Sequence, residues 1–98
     1  MTVLIDPEGT EIKHLQRSAD FTGRRVLELG CGDGRLTWRY AKPALSVTGI
    51  DLLRDDLRVA IIDRPSDLVQ KVQFARADSI HLPFAPESFD IAILAWSF

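Results

Sequence analysis

Val26-Leu27-Glu28-Leu29-Gly30-Cys31-Gly32-Asp33-Gly34 is the stretch on which the reading of this chain turns. An apolar, β-compatible run, Arg25–Leu29, stops abruptly at Gly30, and glycine then recurs at 32 and 34. Glycine lets the backbone turn sharply and lets a ligand lie against the main chain, because no Cβ intervenes. An ordinary strand-to-helix turn accounts for one such glycine. Three at alternate positions directly after a strand favour a bound ligand. Beyond the loop, Asp33 can cap a helix that starts near Gly34 or Arg35 and runs to about Lys42, where Pro43 ends it.

The flanking sequence continues the same alternation. Residues 45–50 form the next strand candidate, with Val47, Thr48 and Ile50 supplying β propensity. A helix is predicted over 53–63, with Leu53, Leu57, Ala60 and Ile61 at helical spacing and Arg54, Asp55, Asp56 and Arg58 on other faces. A third strand falls within 69–75, a loop punctuated by Pro83 and Pro86 covers 78–88, and a fourth strand covers 89–95. The continuous apolar character of that last strand predicts burial on both faces, as in a parallel sheet. Upstream, 11–19 carries a short helical pattern through Ile12, Leu15 and Gln16, and Gly23 is placed to stop it. The order strand, helix, strand, helix, strand, loop, strand predicts an α/β doubly wound parallel sheet. Ligands of such sheets bind beyond the carboxyl ends of the strands. Three segments fall there: 30–34, 51–52 and 78–80.

The loop spacing does not suit a dinucleotide. That fingerprint requires glycine at the sixth position of Gly-x-Gly-x-x-Gly. Counting from Gly30 the sixth residue is Arg35, and counting from Gly32 it is Thr37. Glu28 would also repel a pyrophosphate, whereas it could attract an ammonium or sulfonium ion. Asp51 follows the second strand, where a carboxylate can accept from both hydroxyls of a ribose; a helix cap is the other role open to it. Leu52 could cover a face of an adenine. Asp78 could accept from an adenine amino group while the Ser79 amide donates to a ring nitrogen, or it could close a turn on its own backbone.

Composition narrows the partners. The chain has 98 residues, a formal net charge of −2 and 46% hydrophobic residues, the profile of one globular domain or part of one. That charge gives no general attraction to nucleic acid or to anionic membranes. Arg24, Arg25, Arg35 and Arg39 lie among Glu28 and Asp33, and read as a solvated face before an acceptor-binding patch. The longest uninterrupted apolar run, 91–96, is too short to span a bilayer, and residues 1–9 lack the basic start of a signal peptide. The single cysteine, Cys31, excludes an internal disulfide, so a reducing, cytoplasmic setting is expected. Cys31 reads as a small buried thiol, His14 and His81 as surface residues, and Trp38 and Tyr40 as packing residues before stacking ones. The histidines and the cysteine lack ligand spacing, and no metal site is expected.

These segments together resemble the class I S-adenosylmethionine-dependent methyltransferases. The run 26–34 is similar to that family's first motif throughout. Gly49-Ile50-Asp51 resembles its ribose-binding motif. Ala77-Asp78-Ser79, followed by Leu82-Pro83-Phe84 and Ser88-Phe89-Asp90, is similar to its adenine-side motif and the start of its fourth strand. The resemblance implies a Rossmann-like sheet truncated after the fourth strand, with 1–23 as a helical lead-in and 24–98 as the cofactor-binding core. It implies S-adenosylmethionine as cofactor. Glu28, Gly30, Cys31, Gly32 and Gly34 would hold its methionine part, Asp51 its ribose, and Asp78 its adenine amino group, with Leu52 and Ser79 also beside the adenine. Ala95 and Trp96 would border the methionine end and the acceptor.

The expected function is methyl transfer to an unidentified acceptor, a small molecule being favoured, with this chain supplying the cofactor-binding half. The alternative is a non-catalytic S-adenosylmethionine-binding module. In that family a fifth strand lies beside the fourth. Residues 91–95 are therefore expected to form an open apolar edge that invites self-association, and the chain alone is expected not to turn over. No residue stands out as a general base.

Overall fold

Val26, Leu27, Glu28 and Leu29 are consecutive and all buried, as in an interior strand covered on both faces. A computed structural model of the chain describes residues 2–5, 20–78 and 85–94. Its elements are β1 (Thr2–Ile5), β2 (Arg25–Leu29), α1 (Thr37–Tyr40), β3 (Ser46–Asp51), α2 (Arg54–Asp63), β4 (Val72–Arg76) and β5 (Ile91–Leu94), with single 3-10 turns at Ser66–Leu68 and Pro86–Ser88. The strands form one parallel sheet in the order β1-β5-β2-β3-β4, with β2 at its centre. The Rossmann-like α/β reading holds.

Alternate residues of β2 face opposite ways, as the pleat requires. Val26 joins Val47, Val72, Ile91, Ile93, Tyr40 and Phe21 in one apolar cluster, whereas Leu27 and Leu29 join Ile50 in a second. α2 packs over β3 and β4. Its apolar face is narrower than the sequence predicts: Leu57 and Ala60 are buried, but Leu53 and Ile61 are exposed.

Three further expectations differ from the fold: the open edge at 91–95, the length of the helix after the loop, and Asp33 as its cap. The predicted fourth strand, β5, is not an open edge. β1 runs parallel to it with Thr2 opposite Ile91 and Ile5 opposite Leu94, so the 1–23 segment contributes a strand to the sheet. The helix predicted over 11–19 lies outside the described residues. The helix predicted from Gly34 or Arg35 to Lys42 shrinks to the four residues of α1. Gly34, at φ +90°, donates its amide to the Cys31 carbonyl at 3.2 Å and turns the chain. The Asp33 carboxylate then accepts from the Arg35 amide at 3.3 Å and closes a local turn, so it does not cap the helix.

Two local contacts fix the central strands. At the start of the β2–β5 pair, Asp90 Oδ2 accepts from the Arg25 amide at 2.9 Å and from Nε at 3.1 Å, while Oδ1 accepts from Nη2 at 3.0 Å. In β3, Gly49 lies opposite Glu28, and a Cβ there would fall 2.8 Å from the Phe74 ring and 3.0 Å from Cys31 Sγ. The Phe74 ring is itself held edge-on against Trp38, with centroids 5.7 Å apart, so it has little room to yield.

Both contacts predict measurable behaviour. Hydrogen bonds from the Arg25 guanidinium and then the Arg25 amide hold the Asp90 carboxyl at about 2, below its ordinary 3.8. A depressed folded-state value stabilises above the unfolded one and is lost on acidification, here as pH falls from about 4 through about 2. Thermal melts across that window should show a shallower acid loss for Asp90→Asn than for the wild type; parallel curves would contradict the linkage. Gly49→Ala overpacks a tight site and should cost roughly 1–3 kcal/mol, read as a Tm at least about 4 °C lower.

Candidate functional site

All strands are parallel, so the residues that leave β2, β3 and β4 emerge along one edge of the sheet. Asp51 ends β3 opposite Arg76, the last residue of β4, and Asp78 follows two residues later. The structure thus brings the glycine loop, Asp51, Leu52 and Asp78 to one side. Ser79 and Ala95, together with His14, His81 and Trp96, lie outside the described residues.

The glycine loop is tied to β3. The amides of Gly30 and Cys31 both donate to the Ile50 carbonyl, at 2.8 and 3.1 Å. Gly30, Gly32 and Gly34 all have positive φ, a backbone that L side chains rarely adopt. At Gly32 a Cβ would meet nothing within 4 Å, so the main chain there borders open space. At Gly34 the Trp38 indole closes the other side, 2.5 Å from where a Cβ would sit. Trp38 therefore serves the loop as packing.

Asp51 joins the loop to α2. Its Oδ2 accepts from the Gly32 amide and its Oδ1 from the Leu53 amide, each at 2.9 Å. The carboxylate closes a local turn just before α2, bonding the Leu53 amide without capping the helix, and ties that turn to the loop. A carboxylate offers about four lone-pair sites, so about two remain for further donors. Leu52 beside it is 55% exposed, an apolar surface next to a hydrogen-bonding group. Asp78 is half-buried and engaged in an interaction of its own.

Glu28 lies beneath the loop, fully buried. Its Oε1 accepts from the Thr37 hydroxyl at 2.8 Å and the Tyr40 hydroxyl at 2.6 Å. Sequence reading took Tyr40 as packing and passed over Thr37. The available signal was two hydroxyl residues three apart, on one face of a helix that follows the loop. Cys31 is buried, and burial first, then the charges of Glu28 and Asp51, push its thiol far above the usual range. It stays protonated at neutral pH, the form in which a thiol is a weak nucleophile.

The edge suits a cationic or neutral ligand better than an anionic one. Carboxylates of Glu28 and Asp51 adjoin the loop, that of Asp33 is paired with Arg35 at 3.2 Å, and α1, at four residues, is too short to present the helix N-terminus that pyrophosphate sites use. Among the described residues, no group of three or more His, Cys, Asp or Glu is placed to hold a metal ion, and no helix is long and apolar enough to cross a membrane.

Known proteins resemble this chain in sequence and fold. Methyltransferase GfsG of Streptomyces halstedii is 40% identical over 70 residues, 69% of this chain and 25% of that protein. A solved S-adenosylmethionine-dependent methyltransferase from Mesorhizobium loti matches with a TM-score of 0.69 at 30% identity, over 82% of this chain and 37% of its own. The solved 4+2 cyclase SpnF matches with a TM-score of 0.66 at 33% identity, over 72% of this chain and 27% of its own. The chain spans between 25% and 34% of the length of the first curated relatives it matches. A family model described as a methyltransferase domain matches residues 26–98, from β2 through β5, and the chain belongs to that family.

Proposed function

We propose that this chain binds S-adenosylmethionine along the carboxyl edge of β2, β3 and β4, and so supplies the cofactor-binding part of a methyl transfer to an unidentified acceptor, a small molecule by preference. One observation carries the reading. The Asp51 carboxylate spans the loop and the start of α2, keeps acceptor capacity for two hydroxyls, and stands beside open space at Gly32. A ribose meets those requirements. Leu52 would cover the adenine, with Asp78 and Ser79 at its polar edge. The Gly30–Gly34 backbone would follow the methionine part, above the Glu28 carboxylate. Ala95 would border the acceptor.

When bound, the cofactor supplies a methyl group on a sulfonium, already a good leaving group. The chain's own residues then have to hold and orient it, and positioning alone can provide much of the acceleration. No described side chain is assigned as a general base, which only a protonated acceptor would require. A cytoplasmic setting belongs to the same reading and rests on the lone, reduced Cys31.

A second reading is a module that binds the cofactor without transferring its methyl group. The likeness to the solved 4+2 cyclase supports it. Both readings share the site. They separate in an assay of radiolabelled methyl transfer across a panel of acceptors.

Two predictions follow for the shared site. S-adenosylmethionine or its demethylated product should raise the Tm by mass action, and NADH should not. A shift with NADH alone would overturn the assignment. Asp51→Asn keeps one carbonyl acceptor but loses the charge, and charge-assisted bonds are worth about 1.5–3 kcal/mol. Titration calorimetry should therefore show affinity lower by roughly tenfold or more, with the fold retained. Unchanged affinity would take ribose recognition away from Asp51.

A further inference from the structure

Glu28, Thr37 and Tyr40 are three polar side chains enclosed in the interior, each at most 1% exposed. They bracket the glycine loop in sequence, with Glu28 before Gly30 and the two hydroxyl residues after Gly34. Both hydroxyls converge on a single carboxylate oxygen, Oε1, at 2.8 and 2.6 Å. The element that carries them cannot hold itself in place. α1 has four residues and no side-chain cap, far below the length at which a helix is stable alone. The Tyr40 ring is further fixed by stacking on Phe21, with centroids 4.8 Å apart and planes 27° apart.

We propose that Thr37 and Tyr40 are positioning residues: by holding Glu28 Oε1 they fix the carboxylate under the loop and pin both ends of the loop to one point, which sets its grip on the methionine part of the cofactor. The proposal rests on the S-adenosylmethionine reading of the edge. Its physical basis is closure. Eight residues, 29–36, leave β2 and return to α1, and the shared carboxylate draws the two ends together. Burial first, then the charge on Glu28, push the Tyr40 phenol well above its usual range, so it remains a donor at neutral pH. The sheet end of the loop is held separately, through Ile50 and Asp51. Loosening α1 should therefore disturb the methionine side and spare the ribose and adenine side.

The test is calorimetric titration of the chain and its variants with two ligands, S-adenosylhomocysteine and adenosine, which lacks the methionine part. Tyr40→Phe keeps the ring and its stack but removes the hydroxyl; Thr37→Val does the same for the second donor. Each should weaken S-adenosylhomocysteine roughly fivefold to tenfold while changing adenosine less than about twofold. Thr37→Ser, which retains the donor, should restore the wild-type ratio. Leu57→Ala, a core truncation on α2 outside the cluster that holds Tyr40, should lower the Tm and leave the ratio unchanged. Equal loss for both ligands in Tyr40→Phe and Thr37→Val would reduce these residues to general stability, and a ratio unchanged in both would overturn the proposal. A wild-type chain that binds the two ligands equally would overturn the methionine-binding reading and this proposal with it. A wild-type preference that both variants retain would overturn this proposal alone.

Discussion

Glu28 carries a carboxyl group into the interior of a parallel sheet, and such a group persists there only when hydrogen bonds replace its water. That requirement places the neighbouring elements. Thr37 and Tyr40 must come within reach of β2, so the chain has to turn back within the few residues after Leu29. Glycines with positive φ make that return possible, and the resulting loop stands at the end of the central strand. The Tyr40 ring, once committed, packs on Phe21 and extends the apolar cluster that covers this face of the sheet. One buried polar contact thus governs the path of the loop, the position of α1 and part of the core.

Asp51 performs the corresponding task at the next strand. Its two oxygens gather the Gly32 amide and the Leu53 amide, so the loop and α2 share one carboxylate. A group that bridges two backbone segments and keeps acceptor capacity has a structural task whether or not a ligand also uses it. Cap and ligand readings of Asp51 are therefore hard to separate by residue type alone. The acidic groups Glu28 and Asp51 also bear on which charge a ligand at this edge can carry. A pyrophosphate would meet carboxylates without a long helix N-terminus to offset them, whereas a sulfonium or ammonium would meet opposite charge.

Much of this arrangement is legible in the amino-acid sequence because local patterns report it. β2, β3 and β5 read as apolar or β-branched runs, α2 is bounded by Asp51 and Pro65, and the glycine spacing marks a strand end. What escaped depends on contacts distant in sequence. Thr2–Ile5 is four residues long, and only its pairing with β5 makes it a strand. Nothing in the apolar character of 91–94 says which segment will lie beside it. The short α1 escaped because Asp33 can cap a helix or close a turn, and the Gly34 conformation decides between them. The convergence of Thr37 and Tyr40 on Glu28 needs the folded loop between them. Leu53 and Ile61 follow helical spacing, yet α2 buries a strip only as wide as Leu57 and Ala60.

The central claim is that the carboxyl edge of β2, β3 and β4 receives S-adenosylmethionine, with Asp51 and the glycine loop in contact with it. Amide chemical-shift mapping of the isotopically labelled chain during titration with S-adenosylhomocysteine tests this most directly. The account predicts saturable shifts at Gly32, Asp51, Leu53 and Asp78, with the outer face of α2 around Ile62 unaffected. Shifts confined to α2, or none in the glycine loop at saturating ligand, would contradict it.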